Sequence, residues 1–221
     1  MPPARALTSS RLIPSSSSTG LALARTAEHQ ARVRNRRDSL HAQLAEIFPT
    51  PTRLICEIGC GHGHFLTAYA TANPRAACIG IDLLRDRIAR ATRKRNRAGL
   101  MHLHFLVAEA SEFLDVLPRS VTLSAIYILF PDPWPKRRHH KHRLLQPSFL
   151  NSMAARAEEG TRFYFRTDYE PYFSEAAKVV SSHRHWRLVE EKWPFEMETV
   201  FQARAPKYHS FVAVRTSDPA L

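Results

Sequence analysis

The chain has 221 residues, enough for one substantial α/β core and too few for a second full domain. Its 32 lysines and arginines against 20 aspartates and glutamates give a formal net charge of +12, which favours polyanionic partners such as nucleic acids. The three cysteines are too few and too clustered for a disulfide framework, and no apolar run is long enough to cross a membrane. We expect buried, reduced thiols, no metal site and no membrane partner.

The first 36 residues differ in composition from the rest of the chain. Residues 1–27 contain three arginines, a serine block at 15–18 and no acidic side chain, so they cannot bury a core. We predict a disordered basic extension at 1–36 and one domain at 37–221 in a cytoplasmic protein. An organelle transit peptide is the alternative for this arginine-rich and serine-rich segment.

From residue 38 onward the chain alternates between helix-like and strand-like segments. A helix at 38–48 ends before Pro49, and later helices are predicted around 65–72, 84–97 and 171–180, with one more beginning near 146. Strands are predicted at 54–58, 77–81, 102–107, 125–130, 162–166, 187–189 and 210–214. This order predicts a doubly wound, mostly parallel seven-stranded α/β sheet with helices on both faces and an antiparallel C-terminal strand.

A glycine-rich turn follows the first predicted strand, where Glu57 is followed by Gly59, Gly61 and Gly63. Glycines let the backbone bend sharply and approach a ligand closely. The spacing is G-x-G-x-G and not the dinucleotide G-x-G-x-x-G, and the adjacent carboxylate would repel a pyrophosphate. The turn therefore favours a cationic or zwitterionic ligand, and S-adenosylmethionine, with its ammonium and sulfonium groups, fits it.

Acidic residues follow the next two strands. Asp82 lies 19 residues after Gly63, where a nucleoside-binding sheet carries an acid that accepts hydrogen bonds from ribose hydroxyls. The alternative role for Asp82 is to cap the helix that follows. Glu109 comes after the third strand and could position an adenine, or could simply begin the next helix.

The most specific segment is the F-P-D-P-W-P-K loop from Phe130 to Lys136. Its three prolines restrict the backbone, so the loop is stiff and presents Asp132 and Trp134 in fixed directions at the end of a strand. A basic tract at 137–143 without any acid follows. That tract is either a solvated loop or a group of phosphate contacts beside a reaction centre.

These motifs together resemble the bacterial tRNA (guanine-N7)-methyltransferases over roughly residues 54–211. The resemblance rests on the glycine turn, the F-P-D-P-W-P-K loop followed by R-H and K-x-R, and Thr167-Asp168. It implies a class I, Rossmann-like methyltransferase that transfers a methyl group from S-adenosyl-L-methionine to N7 of guanine 46 in the tRNA variable loop. We expect such an enzyme to act as a monomer or a homodimer.

The same resemblance assigns roles to individual residues. Contacts to the methyl donor would come from Glu57, Gly59, Gly61, Gly63, Asp82, Glu109 and Asp132. Asp132 would also be the catalytic residue, and the tRNA contacts would come from Lys136, Asp168, Thr199 and Gln202. The family's T-x-(Y/F)-E motif falls on residues 199–202, so Gln202 replaces a glutamate and supplies a hydrogen-bonding amide without charge. The family also has Glu at the position of Asp82 and Asp at that of Glu109.

Guanine N7 carries an in-plane lone pair and no proton, so the reaction needs no general base. Asp132 would therefore hold either the polar edge of the guanine or the ammonium group of the donor. The helix after Asp82 carries seven basic residues and one acid, which form either a solvated face or a grip on the tRNA backbone. Two other functions stay open: a methyltransferase of the same fold with another substrate, and a tRNA-binding relative without turnover.

Overall fold

The computed structural model describes residues 17–197 and 207–217. The chain divides into two units at Ser39/Leu40. The first helix, α1, covers Ser17–Ile47, so it begins well before the predicted start near residue 38 and includes residues 17–36 of the predicted extension. Residues 17–36 contain no proline, four alanines and four arginines, a composition that favours a helix. Residues 1–16 lie outside the described part, and the predicted domain bounds stay a prediction.

The main unit contains a seven-stranded sheet in the order β3-β2-β1-β4-β5-β7-β6. The strands are β1 Thr52–Ile58, β2 Ala77–Asp82, β3 Leu103–Val107, β4 Val121–Leu129, β5 Ala157–Thr167, β6 Trp186–Val189 and β7 His209–Arg215. Strands β1 to β5 pair in parallel, and β7 runs antiparallel to both β5 and β6. The predicted fold class is confirmed, including the antiparallel C-terminal strand.

In the part of the chain that the structure describes, five further α-helices and one 3₁₀ helix follow α1. They are α2 His64–Ala72, α3 Arg85–Arg97, α4 Ala110–Val116, the 3₁₀ helix Arg137–His142, α5 Pro147–Ala154 and α6 Glu170–Ser181. The 3₁₀ helix occupies the basic tract, where the sequence shows no apolar period. β5 starts five residues before its predicted start, because its first residues are polar and exposed and give no apolar signal.

The two faces of the sheet are covered differently. On one face, residues of β1, β4 and β5 pack against α4, α5 and α6 in the largest apolar cluster. On the other face, α2 and α3 cover β2 and β3, whereas the rings of Trp193 and Phe195 lie against tyrosines of β4 and β5 and against α2. The three cysteines are buried and unpaired, as predicted. Within the described residues, no helix has the length and apolar character needed to span a membrane.

Candidate active site

The strand order brings two predicted motifs to one edge of the sheet. β1 lies between β2 and β4, and Ile58 at the end of β1 pairs with Ile128 near the end of β4. Because these strands are parallel, the glycine turn after β1 and the proline-rich loop after β4 emerge side by side at their carboxyl ends. Ligands bind at this edge in open α/β sheets.

The three glycines of the turn have different local surroundings. All of them have positive φ: 77° at Gly59, 54° at Gly61 and 68° at Gly63. A Cβ on Gly63 would come within 2.6 Å of the Phe105 ring and 2.8 Å of the Ala91 Cβ. A Cβ on Gly59 or Gly61 would meet no described atom within 4 Å. Gly63 is therefore required by packing, whereas Gly59 and Gly61 leave open space for a ligand.

Neighbouring elements fix the course of this turn. The backbone N–H groups of Gly59 and Cys60 both donate to the carbonyl of Ile81, each at 2.9 Å. The Lys94 ammonium of α3 donates to the carbonyl of His62 at 2.9 Å. The turn is thus tied to β2 and α3 before any ligand binds, which lowers the entropy cost of binding.

Glu57 is a buried carboxylate at the base of the turn. Burial raises its pKa to about 8; a hydrogen bond from the Leu66 backbone opposes this shift, and the charge of Asp82 adds to it. Its Oε2 atom has no hydrogen-bond partner among the described residues. A buried acid with an unsatisfied oxygen is well suited to a cationic ligand group, which would offset the cost of ionising it.

Asp82 connects the end of β2 to the glycine turn. One carboxylate oxygen accepts from the N–H of Gly61 at 3.0 Å, and the other accepts from the N–H of Leu84 at 2.9 Å. Arg87 lies 3.5 Å from the same carboxylate. Leu84 itself is the N-cap residue of α3, so Asp82 shapes the turn before the helix and does not cap it. Each oxygen can accept a second hydrogen bond, so contacts to ribose hydroxyls stay feasible.

Glu109 is the N-cap residue of α4. Its Oε2 atom accepts a hydrogen bond from the N–H of Glu112 at 2.8 Å. Glu109 therefore caps the start of a helix, which is the alternative role given above. It still lies beyond β3 at the same edge of the sheet as Asp82, because Asp82 pairs with Val107.

The loop after β4 contains two strained residues. Phe130 and Trp134 have φ of 50° and 44°, a region that costs a non-glycine residue about 1–3 kcal/mol. Asp132, midway between them, is exposed. The Trp134 ring lies 5.3 Å from that of His142 and 5.7 Å from that of His139. Backbone strain of this kind persists only where other contacts hold it.

Two buried arginines supply contacts to this loop. The N–H of Phe130 donates to the carbonyl of Arg166 at 2.7 Å, and Arg143 Nε donates to the carbonyl of Pro133 at 2.9 Å. The Arg166 guanidinium pairs with both oxygens of Glu196, at 3.0 and 3.1 Å. It also lies 4.0 Å from the centre of the Trp193 ring and 4.5 Å from that of Tyr208.

Neither arginine stood out in the sequence as a buried residue. The sequence places Arg143 in a basic tract and Arg166 at the end of a predicted strand. A charged residue at the end of the apolar run F-Y-F was the available signal for Arg166. Nothing local distinguishes Arg143 from its neighbours Arg137 and Arg138, which are exposed.

The remaining predicted substrate residues have different outcomes. Lys136 is exposed and precedes the 3₁₀ helix, and Asp168 is exposed directly after β5, which neighbours β4. Thr199 and Gln202 lie outside the described residues. On α3, four of the seven basic residues are exposed, namely Arg85, Arg90, Arg93 and Arg97. The other three contact Asp82, the His62 carbonyl and the segment around Asn96.

Comparison with known proteins gives consistent matches. The family profile described as "Putative methyltransferase" matches residues 51–212. A protein of Azorhizobium caulinodans named tRNA (guanine-N(7)-)-methyltransferase is 33% identical over 187 residues, covering 78% of this chain and 81% of that protein. A protein of the same name from Nitrosococcus oceani is 36% identical over 140 residues, covering 63% of this chain and 59% of that protein. The latter match thus spans less than two thirds of the relative.

Solved structures share the fold at low identity. The 16S rRNA methyltransferase KamB superposes with a TM-score of 0.58 at 18% identity, covering 80% of this chain and 94% of that one. The aminoglycoside resistance methyltransferase NpmB1 gives a TM-score of 0.57 at 16% identity, covering 80% and 93%. Both likenesses concern the arrangement of the sheet and its helices.

Proposed function

This chain belongs to the methyltransferase family whose profile covers residues 51–212, and from that premise we propose that it methylates N7 of a guanine in tRNA, at position 46. The methyl donor would be S-adenosyl-L-methionine. One observation carries the proposal: the glycine turn with buried Glu57 and the strained loop with Asp132 emerge side by side at the carboxyl ends of β1 and β4. The names of the similar proteins from Azorhizobium and Nitrosococcus support the choice of substrate.

The residues at the glycine turn suit S-adenosylmethionine. Its ammonium group would pair with the unsatisfied oxygen of Glu57, and its chain would cross the open space at Gly59 and Gly61. Asp82 has capacity for the ribose hydroxyls. Leu83 and Leu84 are 67% and 51% exposed beside it, which offers apolar surface to an adenine near Glu109. When bound, the donor supplies an electrophilic methyl group on a sulfonium.

On the substrate side, the chain's own residues would mainly hold and orient the base. Guanine N7 already has a free lone pair, so no residue has to remove a proton. Holding N7 in line with the methyl–sulfur bond can lower the barrier by up to about 7–11 kcal/mol in well-oriented systems. Asp132 on its stiff loop would hold the polar edge of the guanine or the donor's ammonium. Asp168, Thr199 and Gln202 would help to fix the base.

The tRNA backbone would be bound by exposed cations near this edge. Lys136 and the basic 3₁₀ helix follow the loop directly, and α3 offers Arg85, Arg90, Arg93 and Arg97 to solvent. Phosphate contacts from such residues position a nucleic acid without reading its sequence. We propose a cytoplasmic enzyme that acts as a monomer or a homodimer.

A direct assay tests the proposal. Purified protein is incubated with labelled methyl donor and unmodified tRNA, and N7-methylguanosine is located by borohydride and aniline cleavage of the product. We expect one cleavage in the variable loop, and none with tRNA in which that guanine is replaced by adenine. Methylation at another position would favour a different substrate. Tight tRNA binding without transfer would identify a non-catalytic relative, and either result would overturn the proposal.

A further inference from the structure

Arg143 is a buried cation in a basic tract whose other members are largely exposed. Its side chain is 1% exposed, whereas Arg137, Arg138 and Lys141 lie at the surface. Its guanidinium contacts three groups on two parts of the fold: the Pro133 carbonyl in the loop, and the Glu175 carboxylate and the face of the Tyr172 ring, 5.0 Å away, on α6. One side chain thus connects the loop after β4 to helix α6.

The burial of this charge calls for a physical explanation. Removing a guanidinium from water costs several kcal/mol unless an opposite charge and hydrogen bonds compensate. Glu175 supplies the charge and also lies 3.3 Å from His140, and the Tyr172 ring supplies a cation–π contact. A side chain that is only 1% exposed cannot reach the phosphates of a nucleic acid, so phosphate binding does not account for a buried arginine here.

The hydrogen bond to Pro133 lies in the middle of the loop, next to Asp132. Pro133 lies between Asp132 and Trp134, and the strained residues Phe130 and Trp134 enclose this segment. The loop's prolines have no N–H group, so they cannot anchor the loop as donors. The carbonyl of Pro133 is the acceptor through which Arg143 holds the middle of the loop, while the Phe130 N–H holds its start.

We propose that Arg143, oriented by Glu175, is a positioning residue that fixes Asp132 and Trp134 through the backbone carbonyl of Pro133. This role rests on the proposed function, and it adds to the candidate site a residue that does not touch the substrate but holds the loop that does. An arginine is needed because its planar fork donates in two directions at once, to Pro133 through Nε and to Glu175 through Nη1. A lysine would retain the charge but could not reproduce both directions.

The test compares Arg143→Lys and Glu175→Gln with a matched control, Arg162→Lys. Arg162 forms a similar fork with Glu191, but the pair is partly exposed and lies away from the loop on β5. Single-turnover methyl transfer, donor affinity and hydrogen exchange at the hydrogen-bonded amide of Phe130 are measured for each protein. Glu175→Gln keeps an acceptor and is the milder variant, should Arg143→Lys unfold.

We expect Arg143→Lys to slow transfer by about 10- to 100-fold, because small misplacements of reacting groups have effects of this size. Glu175→Gln should slow it less, and both variants should speed exchange at Phe130. Donor affinity should change in the same direction as in Asp132→Ala, because both changes displace or remove the same carboxylate. Arg162→Lys should match the parent. Unchanged exchange in the Arg143 and Glu175 variants, or an equal effect in Arg162→Lys, would overturn the inference. If the parent transfers no methyl group to tRNA, the proposed function fails. The exchange result still shows whether Arg143 holds the loop.

Discussion

The two halves of the candidate site are built from opposite chemistry. On the donor side, β1 and β2 end in buried acids, and glycines and backbone amides shape the turn between Glu57 and Asp82. On the substrate side, β4 ends in a strained proline loop, which is supported by the buried arginines Arg143 and Arg166. Buried acids suit a cationic donor, whereas the surrounding cations suit a polyanionic substrate.

The halves also differ in how far along the chain their supports lie. The glycine turn bonds to the next strand and helix, within about thirty residues of sequence, at Ile81, Asp82 and Lys94. The proline loop depends on Arg143, Arg166 and, through them, on Glu175 and Glu196. The donor side therefore depends on two neighbouring elements, whereas the substrate side depends on Arg143, only 10 residues from Pro133, and on partners much farther along the chain at Glu175 and Glu196.

The largest effect should come from the substrate side. Asp132→Ala should slow single-turnover methyl transfer by about 100-fold or more, because the group that orients base or donor is lost. Donor affinity measured by calorimetry decides between the two roles: it stays unchanged if Asp132 holds the guanine and falls if Asp132 holds the ammonium. Asp168→Ala is the companion variant, and unchanged rates in both would contradict the assignment of these acids.

On the donor side, Glu57→Gln should change how stability depends on pH. The folded-state pKa of Glu57 is raised to about 8, so the unfolded state releases this proton first, and the free energy of unfolding falls as pH rises toward 8. Glutamine lacks this titration. The variant should therefore gain stability relative to the parent, on the order of a few kcal/mol, between pH 5.5 and 8.5 in urea denaturation.

Glu57→Gln should also bind S-adenosylmethionine at least about 10-fold more weakly than the parent, because a charge-assisted hydrogen bond to the ammonium group is lost. A constant stability difference across this pH range would show that Glu57 ionises normally. Equal donor affinity would show that it does not face the cationic group.

Two glycine substitutions distinguish a glycine that packing requires from one that leaves room for a ligand. Gly63→Ala should lower the free energy of unfolding by about 2–4 kcal/mol, since its Cβ overlaps Phe105 and Ala91 and its φ is positive. Gly61→Ala should cost only about 1–2 kcal/mol, because no described atom is close, but it should weaken donor binding more. Denaturation and donor titration of both variants check this, and the reverse order would contradict the assignment of the open space.

The smallest effect should come from the surface of α3. Replacing Arg90 and Arg93 by serine should weaken tRNA binding of all sequences and reduce the slope of log affinity against log salt by about one to two. Arg119→Ser, near the start of β4 and so at the opposite edge of the sheet, is the control. Equal salt slopes for the double variant and the parent would show that these arginines do not contact the tRNA backbone.

Most strand positions could be predicted because each apolar run is local. β1, β2 and β3 were predicted within one or two residues, since their apolar residues are contiguous. The start of α1 differs from the predicted one because the low acidity and the serine block suggest disorder, while the helix as a whole has only a weak apolar period. The capping role of Glu109 was recognised only as an alternative, because spacing cannot tell which backbone N–H a carboxylate will accept from.

The sequence by itself determined the sheet, the acid-flanked glycine turn and the stiffness of the proline loop, because each depends on residues adjacent in the chain. Only the tertiary structure decided that Arg143 and Arg166 are buried and that the pKa of Glu57 is raised. Burial and the pairing of buried charges depend on side chains that come from distant segments. A local pattern cannot show which of many arginines will meet a glutamate and an aromatic ring inside the fold.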